Sequence, residues 1–135
     1  MPYEYPQKVL FKHCDPAGIV FYPRYFEMIN DCVEGFFDDV IGVPFEVLLR
    51  EGGVPTADIS VKFHKPSFHG DRLVLNLSPV RFTAKSFTLE IRALCADEAR
   101  FTSNSTLVYV GSNGRAADWP DAISTPLKQF SEVTL

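Results

Sequence analysis

Asp15 stands out among the residues that could do chemistry. It lies in the run His13-Cys14-Asp15-Pro16-Ala17-Gly18-Ile19-Val20-Phe21-Tyr22-Pro23-Arg24-Tyr25, where one carboxylate precedes an oily stretch and then a proline. Pro23 suits the first position of a helix, because its missing N–H costs nothing there. The opening N–H groups of a helix lack intrahelical partners and carry partial positive charge. Pro23 cannot donate, so the free donor nearest the helix start is the Tyr22 N–H. A helix-end amide and a carboxylate seven residues upstream are the two parts needed to open an acyl carbonyl. The amide meets the charge that develops on oxygen. The carboxylate attacks carbon or activates a water. On local pattern alone a second reading stands beside this one, in which Asp15 only caps an Asp-Pro-Ala-Gly turn. That reading leaves the apolar Ile19-Val20-Phe21-Tyr22 unexplained.

Other reactive side chains read more simply. Cys14 has no His/Asn or His/Asp arrangement to activate it and reads as a half-buried strand-end residue. His13 reads as a polar strand-end residue beside Asp15. His64 and His69 flank Pro66 five residues apart with no second ligand pair, so they read as a strand end and a turn, and no metal is expected. Asp71 in His69-Gly70-Asp71 reads as a turn residue.

Composition narrows the classes. The 135 residues suit one domain spanning 1–135, and a chain of this length needs no covalent staples. Apolar residues make up 46%, twelve of them Phe, which excludes disorder. The net charge of −4 lacks the basic field of a nucleic-acid binder. The three cysteines, Cys14, Cys32 and Cys95, are odd in number and unspaced for zinc. They read as free thiols, which implies a cytoplasmic location. The opening residues show no signal-peptide core, and no apolar run approaches the ~20 residues of a membrane span.

The elements that must position Asp15 follow from periodicity. Tyr5 to His13 reads as a first strand. From Pro23 to Ile41, Tyr25, Phe26, Ile29, Cys32, Val33, Phe36, Phe37, Val40 and Ile41 recur at three- and four-residue steps, one face of an amphipathic helix about 27 Å long. Gly42 can close it in the left-handed conformation. Gly35 inside the helix suggests close approach to a strand, and Asp38 and Asp39 sit at the wrong end for the helix dipole. Val43 to Pro55 reads as a loop. After it the period is two: Ile59, Val61 and Phe63; Leu73, Leu75 and Leu77; Phe87, Leu89, Ile91, Ala93 and Cys95; then Phe101 to Val110. Short turns between these runs imply antiparallel neighbours. The tail holds Trp119-Pro120 and a short helix after Pro126. One long helix with about five strands gives an α+β fold, a sheet wrapped on a helix.

This order of elements, with Asp15-Pro16-Ala17-Gly18-Ile19-Val20, Tyr22-Pro23 and Tyr25, resembles the 4-hydroxybenzoyl-CoA thioesterase family. Lys85-Ser86-Phe87 and the Pro126 region resemble it more weakly. The resemblance implies a hot-dog fold, a long central helix wrapped by a five- to six-stranded antiparallel sheet. It implies hydrolysis of an aromatic (4-hydroxybenzoyl-CoA-like) or short acyl-CoA thioester to the carboxylic acid and free coenzyme A, which is substrate rather than cofactor. Asp15 would be nucleophile or general base and the Tyr22 N–H would polarise the carbonyl. Gly18, Ile19, Val20, Tyr25 and Lys85 would bind substrate, with Ile19, Val20 and Phe21 walling the acyl pocket. Tyr25 reads equally as helix core, and Lys85 equally as a solvated turn lysine. Tyr22-Pro23 resembles the aromatic-acyl branch; the short-chain branch usually has His in place of this proline. The family forms homodimers or homotetramers with a continuous sheet and active sites at the subunit interface. On the partner side, the second predicted strand, Asp58 to Phe63, is the candidate contributor.

The chain departs from the family at one place. Two arginines stand before the lysine in the aromatic-CoA branch; here those positions hold Thr83 and Ala84, with Arg81, Arg92 or Arg115 as possible substitutes. Two further readings follow: a hydrolase of acyl groups on a carrier protein's phosphopantetheine arm, which lacks the adenosine phosphates, or a non-catalytic acyl-CoA-binding module. A dehydratase fits less well, because no catalytic His is recognisable before the helix.

Overall fold

The computed structural model describes residues 1–134. Five strands form one antiparallel sheet: β1 (Tyr3–Lys8), β3 (Thr56–Phe63), β4 (Arg72–Phe82), β5 (Ser86–Cys95) and β6 (Glu98–Val108), in the order β1-β4-β5-β6-β3. A two-residue pair, β2 (Gly52–Gly53) with β7 (Val110–Gly111), lies apart. The helices are α1 (Pro23–Phe36), the short α2 (Phe45–Leu48) and α3 (Asp121–Thr134). This is the expected α+β hot-dog arrangement.

The core forms where the two periodicities meet. Helix α1 buries Tyr25, Met28, Ile29, Cys32, Val33 and Phe36. The inward residues of β4 and β5, from Leu73 to Leu77 and Phe87 to Ala93, are fully or almost fully buried. The outward residues between them are not. Strand β3 is different: it pairs with β6 on one side and is exposed along nearly its whole length.

Several boundaries depart from the sequence reading, each for a physical reason. The first strand is Tyr3–Lys8, not Tyr5 to His13. The ladder stops because the Leu10 N–H donates to His13 Nδ1 (2.9 Å), which closes a 3₁₀ turn over Phe11–His13 and leaves Phe11 82% exposed. The long helix is α-helical only to Phe36, then widens into a π turn over Phe37–Ile41 before Gly42 closes it at φ 77°. Phe26 and Val40 fall outside the buried face, and Met28 falls inside it. The expected loop from Val43 to Pro55 contains α2 and β2. The C-terminal helix starts at Asp121, so Pro126 lies inside it, not before it.

Gly35 marks the close approach of helix and strand. A Cβ there would stand 2.7 Å from the Tyr3 hydroxyl and 3.2 Å from the Tyr5 ring, both on β1. The Tyr3 hydroxyl donates to Asp39 Oδ2 at 2.6 Å, which gives one of the two unfavourably placed carboxylates a partner. Burial, reinforced by that bond, raises the Tyr3 pKa above its usual value.

Candidate active site

Asp15 stands on a miniature hairpin that the chain builds just before α1. Cys14 bridges Val20, the Asp15 N–H donates to the Ile19 carbonyl (2.9 Å), and the Gly18 N–H donates back to the Asp15 carbonyl (2.9 Å). Gly18 takes φ 82°, which a side chain would resist. Asp15 Oδ1 accepts the Ala17 N–H at 2.9 Å, so the turn reading holds for that oxygen. Among the described residues no donor engages the other oxygen, Oδ2. The two readings of Asp15 are therefore compatible: one oxygen orients the carboxylate and the second is available.

The donor lies where the helix begins. In the entry turn, the Phe21 N–H donates to the His13 carbonyl, Arg24 to Phe21 and Tyr25 to Tyr22. Pro23 has no N–H. In that turn the Tyr22 N–H has no partner among the described residues, and it lies at the positive end of α1.

A cleft of about 300 Å³ opens beside this turn, lined by Ile19, Val20, Tyr22, Tyr25 and, from the end of β3, residues 63–66. Tyr25 lies in the core and also lines this cleft. It is 4% exposed and packs on Phe101 (ring centroids 4.9 Å), yet its ring also faces the cleft beside Phe63 (5.6 Å). Phe21 does not join the wall; it is 48% exposed and meets only the edge of Tyr22. Asp15 and Gly18 stand on the adjoining turn, outside the wall itself.

His13 is buried and structural. Its Nδ1 accepts the Leu10 N–H, which puts the ring proton on Nε2. Burial, with Lys12 nearby, lowers its pKa and keeps it neutral. Cys14 is half-buried with its Sγ 3.5 Å from the Leu10 carbonyl, and burial pushes the Cys32 thiol up to about 12. His64 and His69 do not meet: His64 Nε2 lies 3.0 Å from Thr102 Oγ1, while the His69 ring packs at a tilt against Phe11.

Lys85 is not brought to the cleft of its own chain. Phe63 pairs with Phe101 and Ser86 with Val108, so the two ends lie seven residues apart along β6, ~23 Å at the rise of a strand. There Lys85 Nζ binds Asp118 Oδ1 (2.7 Å) at the tip of the β4–β5 turn. A wider groove, about 640 Å³, lies between that turn and α3.

Sequence reasoning missed three features. His64 and Lys65 border the cleft, brought there by the register of β3 on β6. A second cavity of about 240 Å³ sits between α1, β3 and β6, walled by Phe26, Ile29, Val33 and Ile59 with Asn30 at its side. Ser105 also lines it, 3% exposed and with no partner for its hydroxyl among the described residues. The third is an ion pair under the loop, between Arg100 and Asp71 (2.7 Å). No local pattern marks these residues, since each acts through a neighbour distant in sequence.

Comparison with known proteins agrees with this fold. The model of the thioesterase-like superfamily matches residues 9–127. A 1,4-dihydroxy-2-naphthoyl-CoA hydrolase of Crocosphaera subtropica is 23% identical over 88 residues, 64% of each chain, so the match spans just under two thirds of that relative. The crystal structure of a 1,4-dihydroxy-2-naphthoyl-CoA thioesterase from Synechocystis superposes with a TM-score of 0.87 at 19% identity, covering 95% of this chain and 96% of that one. A gentisyl-coenzyme A thioesterase superposes with a TM-score of 0.85 at 23% identity, covering 93% and 99%.

Proposed function

Because the chain belongs to the thioesterase-like superfamily, we propose that it is a thioester hydrolase that cleaves an acyl-CoA thioester with an aromatic, hydroxylated acyl group of the 4-hydroxybenzoyl type. The products are the carboxylic acid and free coenzyme A. The observation that carries this reading is the Tyr22 N–H at the start of α1, unpartnered among the described residues, preceded by a hairpin whose Asp15 carboxylate keeps one oxygen unengaged. The thioester oxygen accepts the Tyr22 N–H, which strengthens as negative charge builds. Asp15 then acts in one of two ways. It adds to the carbonyl carbon, expels the thiolate and leaves an anhydride that water opens, or it takes a proton from a water that adds instead. Either route consumes one water and returns Asp15 ionised.

The exposed edge of β3 supports a homodimer, or a homotetramer built from it, since an unpaired edge is a template for a further strand. Two copies joined antiparallel along β3 place the Phe63 end of one beside the Thr56 end of the other. The reaction cleft of one copy then meets the cavity under β3 of its partner. Its apolar walls suit a flat ring, and the unpartnered Ser105 hydroxyl with Asn30 suits a ring hydroxyl. The same pairing carries the partner's Lys85 turn towards the cleft end, where it can meet coenzyme A phosphate. The expected location is the cytoplasm.

One observation favours a second acceptor. Lys85 is already paired with Asp118, and Thr83 and Ala84 bring no cation to its turn. A thioester on a carrier protein's phosphopantetheine arm would not need that charge. The test is thiol release from a panel of aromatic and aliphatic thioesters of coenzyme A, pantetheine and carrier protein, with Asp15→Asn alongside. Hydrolysis of an aromatic CoA thioester that falls by ~10²–10⁴ in the variant supports the proposal. Preference for the carrier-protein thioester moves the substrate to the second reading. Binding without hydrolysis would leave an acyl-CoA-binding module.

A further inference from the structure

We propose that Arg100 and Asp71 are a positioning pair that holds the Asp15 loop against the sheet. The inference rests on the reading of Asp15 and Tyr22 as the reacting groups.

The loop has few anchors. Within residues 14–22, the backbone hydrogen bonds are made inside the hairpin, to neighbouring residues 11–13 or 24–25, or to one distant segment. That segment is 67–69. The Val20 N–H donates to the Ser67 carbonyl (2.9 Å), the His69 N–H reaches the Gly18 carbonyl (3.4 Å), and Ile19 bridges Phe68. The geometry of the carboxylate and of the helix entry therefore depends on where segment 67–69 sits.

Arg100, on β6, decides that. Its side chain is only 11% exposed. One nitrogen, Nη1, donates to Asp71 Oδ2 (2.7 Å), the Ser67 hydroxyl (3.2 Å) and the Pro66 carbonyl (3.2 Å). Asp71 Oδ2 also accepts the Phe68 N–H (2.9 Å), so the carboxylate closes the 68–71 turn from within. The Arg100 carbonyl accepts the His64 and Lys65 N–H groups (2.8 and 3.3 Å), fixing the other side of the segment. Nε lies 2.9 Å from Glu98 Oε1 yet makes no aligned hydrogen bond; the contact is ionic. Arg100 thus gathers this segment, its guanidinium holding Pro66, Ser67 and Asp71 and its carbonyl holding His64 and Lys65, and the segment carries the Asp15 loop. A charge this buried is costly to hold without such partners, and all three hydrogen bonds of Nη1 serve this loop support.

The pair touches no reacting atom, so its removal should lower kcat and leave KM nearly alone. A misplacement of ~1 Å at the reacting groups costs on the order of 10² in rate. The test compares Arg100→Gln, Asp71→Asn and the double variant with wild type. The substrate is 4-hydroxybenzoyl-CoA or 1,4-dihydroxy-2-naphthoyl-CoA, whichever wild type cleaves. Amide hydrogen exchange over residues 14–22 is measured on the same samples. Leu127→Ala, a fully buried change in α3, controls for lost stability.

The expected result is a kcat loss of on the order of 10² with KM within about twofold, and faster exchange confined to 14–22 and 64–71. Leu127→Ala should lose thermal stability without that kcat loss. If Arg100→Gln does not fold, Asp71→Asn carries the same expectation, because it removes the charge and keeps an acceptor for Phe68. Unchanged exchange at 14–22 overturns the pair's role whatever Asp15 does. So does a kcat that merely tracks melting temperature as in Leu127→Ala. An Asp15→Asn enzyme of full activity, with fast exchange at 14–22 in Arg100→Gln, would instead remove the catalytic reading and leave the structural link standing.

Discussion

The role assigned to the Tyr22 amide can be tested by deleting that one atom group. Tyr22→Pro removes the N–H, and φ at this position is −52°, inside the range a proline ring imposes. The deleted hydrogen has no protein acceptor, so no internal hydrogen bond is lost. The substitution also removes a ring that is 59% exposed and packs edge-on against Phe63. Tyr22→Ala removes the same ring and keeps the amide. The difference between the two variants therefore isolates the donor. Losing one oxyanion donor costs about 10²–10³ in kcat, or about 2.7–4 kcal/mol of transition-state stabilisation. The assay is steady-state thiol release from the best aromatic thioester, with melting temperatures on both variants. The expected pattern is a proline variant slower than the alanine variant by about 10²–10³, with melting temperatures within a few degrees. Equal kcat in two folded variants would refute the placement of the oxyanion at Tyr22.

Gly35→Ala should destabilise the protein in urea titration by ~1–2 kcal/mol, because crowding of Tyr3 and Tyr5 outweighs the gain in helix propensity. Buried His13 has its pKa lowered from 6.5, so the unfolded chain binds more protons just below that pH. Stability is therefore full above about 6.5 and falls as pH drops below it; His13→Gln should flatten that limb in denaturation at stepped pH. The Asp71 carboxyl is held below its usual value of 3.8 by the Phe68 N–H and Arg100. Its contribution is present above 3.8 and lost as acid takes the pH through its lower folded value, so Asp71→Asn should blunt acid unfolding. Sedimentation equilibrium should return a mass of two or four chains; a fully active monomer would exclude a site shared between copies.

The elements of this fold were legible because they depend on near neighbours. The three- and four-residue rhythm from Tyr25 to Phe36 and the alternation in Leu73–Leu77 and Phe87–Ala93 are local consequences of burying one face. Gly35 could be read as a point of close contact, since a helix tolerates glycine only at a cost. The Asp15 segment was legible for a similar reason: a turn, an oily stretch and a helix-starting proline are contiguous, and they leave the Tyr22 N–H as the nearest free donor. Boundaries moved wherever a distant or side-chain bond intervened, as when His13 ended β1 early.

The sequence by itself thus determined the Asp15 turn and the helix that follows it. Only the tertiary structure decided what surrounds them. Register between β3 and β6 brings Phe63, His64 and Lys65 to the cleft, and sends Lys85 to the far end of the sheet. Arg100 meets Asp71 across 29 residues, and Ser105 reaches a cavity walled by a helix some seventy-five residues before it. Such contacts are chosen by which strand pairs with which and in what register. That choice is settled by global burial, and no short window of sequence carries it.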